Sequence, residues 1–167
     1  MDTVNHFFTR ATATHARLEY GLGFLVCFFL MLINWNELNV WRAITLFAYI
    51  DLIGTIPGLW AYRQSRNGNI SKVYYVMYNV LHSGITQGLL IMTYIGWIGW
   101  EWAILAIPAH LCADRSIFNN YPKPFGLAFD PVLHPAFKKF QEDYNAVKST
   151  EIDWKATKGN SSRVVTH

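Results

Sequence analysis

The chain has 167 residues, of which 52% are hydrophobic, 16% aromatic and 15% charged, with a formal net charge of +3 and two cysteines. One domain is the natural count at this length, and the apolar balance favours a membrane protein over a soluble one. Basic residues in the tail are interspersed with acids and no DNA- or RNA-reading motif is present, which sets nucleic acid aside as a partner; Cys27 and Cys112 read as small core residues, not as a disulfide.

Residues 1–15 form a polar lead rich in Thr and Ala, with helical character from about Ala11 to Glu19, so that His15 and Glu19 share a face. No basic region followed by a cleavable small-residue site precedes Leu18, and the first apolar stretch is expected to stay as an anchor. A hydrocarbon core of about 30 Å demands roughly 20 apolar residues per helical crossing. Four stretches meet that demand, near Leu18–Asn34, Val40–Tyr62, Lys72–Ile95 and Trp97–Asp114. Arg10, Arg17, Arg63, Arg66, Lys72, Arg115 and every later basic residue fall on one side of this arrangement, and Arg42 on the other. Basic loops stay in the cytoplasm, so both termini are expected there; Trp35, Trp41, Trp97, Trp100 and Trp102 mark the outer interface and Trp60 the inner one.

The first span is ordinary lipid-compatible helix above Glu19. Span two carries Asp51 near its midpoint, where an aspartate costs roughly 2.5 to 3.5 kcal/mol to insert and calls for a partner, a proton or a metal. Gly54 and Gly58 lie on the same side as Asp51 and admit a close neighbour, and Pro57 frees the Ile53 carbonyl one turn from the acid. In span three Asn79, His82 and Thr86 share a stripe, while Gly84 and Gly88 lie on the other face and predict contact with a different helix. Span four ends with His110 and Asp114, four residues apart and therefore on one face, followed by Arg115; Pro108 predicts a bend just before the pair. Each of these polar groups is also readable as structural glue between helices.

Prolines at 122, 124, 131 and 135 end the spanning pattern, and the segment reads as a loop on the inner mouth of the bundle, with Asp130 and His134 at its surface. From Ala136 to Lys148, Phe137, Phe140, Tyr144 and Val147 make an apolar stripe beside Lys138, Lys139 and Lys148, the pattern of a helix lying along a membrane surface. Residues from Ser149 onward read as disordered in isolation. The expected organisation is a four-span all-α integral membrane bundle over residues 1–118, then a cytoplasmic loop, interfacial helix and tail over 119–167.

Depth brings the scattered polar groups together in the inner half of the bundle, where bundle metal and cofactor sites are generally built. Glu19, Asp51, His82, His110 and Asp114 form a candidate divalent-metal set suited to zinc or iron, although neither HExxH nor paired ExxH occurs. The same groups support acid–base chemistry, with Asp51, His82, His110 and Asp114 as catalytic candidates and Asn79 and Arg115 as substrate contacts, Arg115 as an anion anchor. ARLEYG around Glu19, Asp51 followed by Gly54, YNVLHS (Tyr78–Ser83), AHLCADR (Ala109–Arg115) and YPKPF after it resemble a small family of bacterial four-helix membrane proteins catalogued as a domain of unknown function. The resemblance covers the four spans and the proximal tail to about Phe137, with IFNNYPKP standing where the family shows GYGLKYP. It implies a bacterial inner-membrane protein and groups Glu19, Asp51, Asn79, His82, His110, Asp114 and Arg115 as one constellation.

The expected function is a small membrane enzyme using metal-assisted or general acid–base chemistry, such as isomerisation, cyclisation, hydration or oxidation, on a lipid-soluble substrate. The rival expectation is a non-catalytic accessory or assembly subunit of a larger membrane complex. A pigment or haem binder with His82 or His110 as axial ligand is a third, and transport is disfavoured by the want of an internal repeat.

Overall fold

The computed structural model describes residues 10–148, all-helical with no strand among them. The expectations for the first nine residues and for the tail from Ser149 lie outside the described residues. The chain divides into two units, Met1–Val132 and Leu133–His167. In the first, α1 (Arg10–Ile33), α2 (Val40–Gly54), α3 (Ile56–Gln64), α4 (Lys72–Leu81), α5 (Gly84–Ile98) and α6 (Ala106–Ala113) follow one another, with a 3-10 turn before α6 and a π-helical turn, Asp114–Phe118, after it. The second contains α7 (Pro135–Lys148), capped by Lys138 N–H donating to the His134 carbonyl; Phe137, Phe140 and Tyr144 stack along it as the stripe predicts.

Two helical stretches are long and apolar enough to cross a bilayer, Ala11–Ile33 and Val40–Gln64. The second is α2 running into α3 through Thr55, with Pro57 in the first turn of α3, where its missing N–H is tolerated. The other two expected spans are not single helices. Span three breaks at His82–Ser83: Ser83 caps α5, its hydroxyl facing the Thr86 N–H, so Thr86 leaves the stripe it was expected to share with Asn79 and His82. Span four is a composite of the 3-10 turn Trp102–Leu105, eight α-helical residues and the π turn. Pro108 therefore sits in the first turn of α6 instead of kinking a long helix.

This composite is the centre of the first unit. Ile104, Ile107 and Leu111 form a buried cluster with Ile50 of α2, and α1 closes on α6 where Gly23 meets the Cys112 sulfur, to which an added Cβ would stand 3.0 Å away. Gly54 brings α2 against Leu81 and His82 in the same way, with an added Cβ 3.3 Å from both. Gly58 accommodates the ring of Phe129, so residues 119–132, expected as a mouth loop, pack with the helices. Gly84 and Gly88 do not behave as expected: a Cβ on either would meet nothing among the described residues.

Candidate metal centre

Three separate elements deliver the site. Asp51 comes from α2, three residues before the Gly54 contact; His82 is the residue at which α4 ends; His110 and Asp114 stand one turn apart where α6 gives way to the π turn. The helix break is what turns His82 inward. Its cost, two carbonyls freed from the helical ladder, is met by dedicated partners: buried Gln87 donates to the Leu81 carbonyl at 2.6 Å and Arg115 to the His82 carbonyl at 3.2 Å, and Tyr49 donates to the other end of the Gln87 amide.

The four side chains converge. His82 Nε2 lies 3.2 Å from Asp114 Oδ2 and 3.4 Å from Asp51 Oδ1; His110 Nε2 lies 3.6 Å from Asp114 Oδ2 and 3.8 Å from Asp51 Oδ2. Asp51, His82 and His110 are close enough together to hold one metal ion. Side chains of His82, His110 and Asp114 are 4, 3 and 9% exposed, but Asp51 is 45% exposed, which makes it the open edge. Tyr78 stacks on the His82 ring at 3.9 Å and Phe47 meets the His110 ring edge-on at 4.7 Å.

Proton bookkeeping decides what these atoms can do. His82 Nδ1 is 2.9 Å from the Tyr78 carbonyl, which only accepts, so Nδ1 carries a hydrogen and Nε2 is the ring atom turned to the two carboxylates. Neither Nε2 makes a hydrogen bond of proper geometry, nor does Asp114 Oδ2, and all three atoms are buried. Buried polar atoms are almost always satisfied; a proton held between His82 and Asp114 or a cation among the four side chains would satisfy these three. Ligand bonds of about 2.0–2.2 Å to a tetrahedral zinc put ligand atoms roughly 3.3–3.6 Å apart, and the imidazole-to-carboxylate separations here run from 3.2 to 3.8 Å. Thr55 donates to Asp51 Oδ1 at 2.6 Å and the Tyr78 carbonyl orients His82, the outer-shell contacts that hold ligands in metal sites.

The other expected site residues are placed elsewhere. Glu19 is not in the cluster: its side chain is 68% exposed and paired with His15 at 3.1 Å, so its charge is met at the surface of α1. Asn79 spends its amide on the backbone of Lys123, donating to the carbonyl at 2.8 Å and accepting from the N–H at 2.6 Å. Arg115, besides holding the His82 carbonyl, lies over the Tyr20 ring at 5.0 Å. Asp130 and His134 are exposed, and His134 Nδ1 accepts from the Ala136 N–H at 3.2 Å. Thr55, Tyr78, Phe47 and Gln87 escape the sequence reading. Ser83 followed by Gly84, a helix-start signal directly after His82, is the one hint that span three breaks there.

No protein-family model, no curated protein and no solved structure matches the chain, so the resemblance drawn from its motifs stands on those motifs alone.

Proposed function

We propose that the chain is an integral membrane enzyme of the bacterial inner membrane in which Asp51, His82, His110 and Asp114 hold a divalent metal, zinc or iron, that acts on a lipid-soluble substrate. The observation that carries this reading is the convergence of two buried imidazoles on two carboxylates, with His82 Nε2, His110 Nε2 and Asp114 Oδ2 making no well-formed hydrogen bond among the described residues. Two carboxylates and a divalent cation sum to zero charge, which removes most of the penalty for ionised groups at membrane depth. A metal there supplies Lewis-acid polarisation of a substrate oxygen. Asp51, on the open edge, is the residue that meets the substrate and moves a proton; the closed side keeps water from His82, His110 and Asp114. The reaction classes this suits are isomerisation, cyclisation, hydration and oxidation.

Exposed apolar side chains support the membrane setting. Leu22, Phe29, Trp41, Ile85 and Trp97 lie more than half exposed, Trp97 at 88%, a coverage that water does not tolerate and lipid does. Residues 72–98 and 102–118 supply the third and fourth crossings as broken segments, which is permitted where the irregular backbone is buried in protein. With both termini cytoplasmic, Arg42 is the basic residue on the outer side, and Glu101 neutralises it at 2.9 Å.

The test is elemental analysis and substrate turnover of purified wild type against His82→Ala, His110→Ala and Asp51→Ala. About one metal per chain, lost in each variant, is expected; equal metal content in all four proteins refutes the centre. A second reading, a non-catalytic subunit of a larger complex, is favoured by Gly84, Gly88 and Gly96, whose open α5 surface fits a helix from another chain. Full metal-dependent turnover by the isolated monomer excludes it.

A further inference from the structure

α1 and α2 each pack against α6 and leave a gap between themselves. In it lies a cavity of about 420 Å³ with almost no polar surface, walled by Phe28 and Leu32 of α1 and Ile44 of α2, with Ala48, Ala106 and Ala109 making its floor. Alanines create the hollow, since a larger side chain at any of the three floor positions fills it. On α2 the cavity's residues Val40, Ile44, Phe47 and Ala48 belong to one helical stripe, and the next member of that stripe is Asp51. Phe47 touches both ends of the problem: it lines the cavity and its ring packs on His110. The hollow therefore runs along the helices for about 12 Å, from Val40 to Ala48 at 1.5 Å per residue, and Asp51 follows one turn beyond Ala48 on α2.

We infer that this groove holds the apolar chain of the substrate, a single-chain lipid with an uncharged oxygen at the end that meets Asp51 and His110. This rests on the metal-centred reading above and names its substrate class. A headgroup bearing negative charge does not suit the position, because no basic side chain lines the groove and the two carboxylates already balance the charge of a divalent cation. Arg115, the expected anion anchor, is committed to the His82 carbonyl and the Tyr20 ring. The groove opens sideways between α1 and α2, so a long-chain alcohol, aldehyde or isoprenoid alcohol enters from the bilayer without crossing water.

The experiment is photolabelling of the full chain in lipid nanodiscs with a diazirine-bearing dodecanol, labelled residues being located by mass spectrometry. Expected is saturable labelling at Phe28, Ile44 and Phe47, reduced at least tenfold by excess dodecanol but not by dodecane. Ala48→Trp, which fills the floor, abolishes it; Leu25→Trp, on the lipid-facing side of α1, does not. Ala43→Phe, at the far end of the groove, shifts competition toward shorter alcohols and serves where Ala48→Trp does not fold. Labelling spread evenly to α5 positions such as Leu89 and Met92, unaffected by competitor, means ordinary bilayer lipid and overturns the inference. So does labelling unchanged in both groove variants. Elemental analysis of the same wild-type sample separates the two failures: absence of metal with saturable groove labelling refutes the centre and leaves the groove.

Discussion

Gly58→Ala is the perturbation whose outcome the packing determines most tightly. A Cβ at this position runs into the tip of the Phe129 ring, against Cζ and 2.6 Å from Cε1 and 2.7 Å from Cε2. Carbon atoms rest comfortably at about 3.5 Å, so the ring must retreat by roughly 1 Å. It has nowhere to go. Phe129 is fully buried, with Tyr75 and Tyr78 edge-on at 5.3 and 5.9 Å and the Lys123 ammonium over its face at 4.8 Å. Overpacking of this kind costs about 1–3 kcal/mol, and the enclosed ring puts the cost near the top of the range. Replacing a helical glycine by alanine returns about 1 kcal/mol of propensity. The net expectation is a loss of about 2 kcal/mol, read by equilibrium unfolding in mild detergent, with metal content falling as well because Tyr78, which the ring abuts, stacks on His82. Phe129→Leu in the Gly58→Ala background should cost less than the two single changes added together, since the smaller side chain makes room. A Gly58→Ala protein as stable as wild type, or more stable by the propensity gain alone, would refute the seating of residues 119–132 on the bundle.

Thr55→Val keeps shape and removes the hydroxyl that donates to Asp51; metal affinity measured by competition with a chelator should fall 10- to 100-fold while the fold persists. Tyr78→Phe removes a buried hydroxyl without a hydrogen-bond partner among the described residues, so stability should hold or rise by up to about 1 kcal/mol, and a clear loss would mean that the hydroxyl is bonded in solution. Protons compete with the metal for two imidazoles and two carboxylates, so metal content after dialysis should fall as pH is lowered and recover when it is raised; content flat from neutral to acid pH counts against these four ligands.

The meeting of Asp51, His82, His110 and Asp114 was more legible in the sequence than the helices that bring it about. Asp51, His82, His110 and Asp114 were recoverable because an ionisable residue in an apolar run has so few explanations, and because equal depth in antiparallel segments predicts meeting. Glu19 shares that logic and fails, since depth says nothing about which way a side chain turns and His15, one turn away, satisfies it at the surface. Spans three and four misled for a related reason. Apolar runs of spanning length look continuous, but the break at His82 is specified by its repairs: Gln87 and Arg115 are distant or ambiguous in the text and meaningful only once their carbonyl partners are known. The glycine pair of α5 shows the converse, a motif that matches a packing pattern and finds no partner among the described residues.

The seat of His82 reaches past α6 and the π turn that follows it. Tyr78, which stacks on its ring, is walled by Phe129 and lies beneath the Lys123 ammonium, and Asn79 ties the same strap to α4 through two bonds to Lys123. The burial of the His82 ring therefore depends on residues 119–132 as well as on the helices that carry the cluster, and a chain ending before Phe129 lacks the wall behind Tyr78.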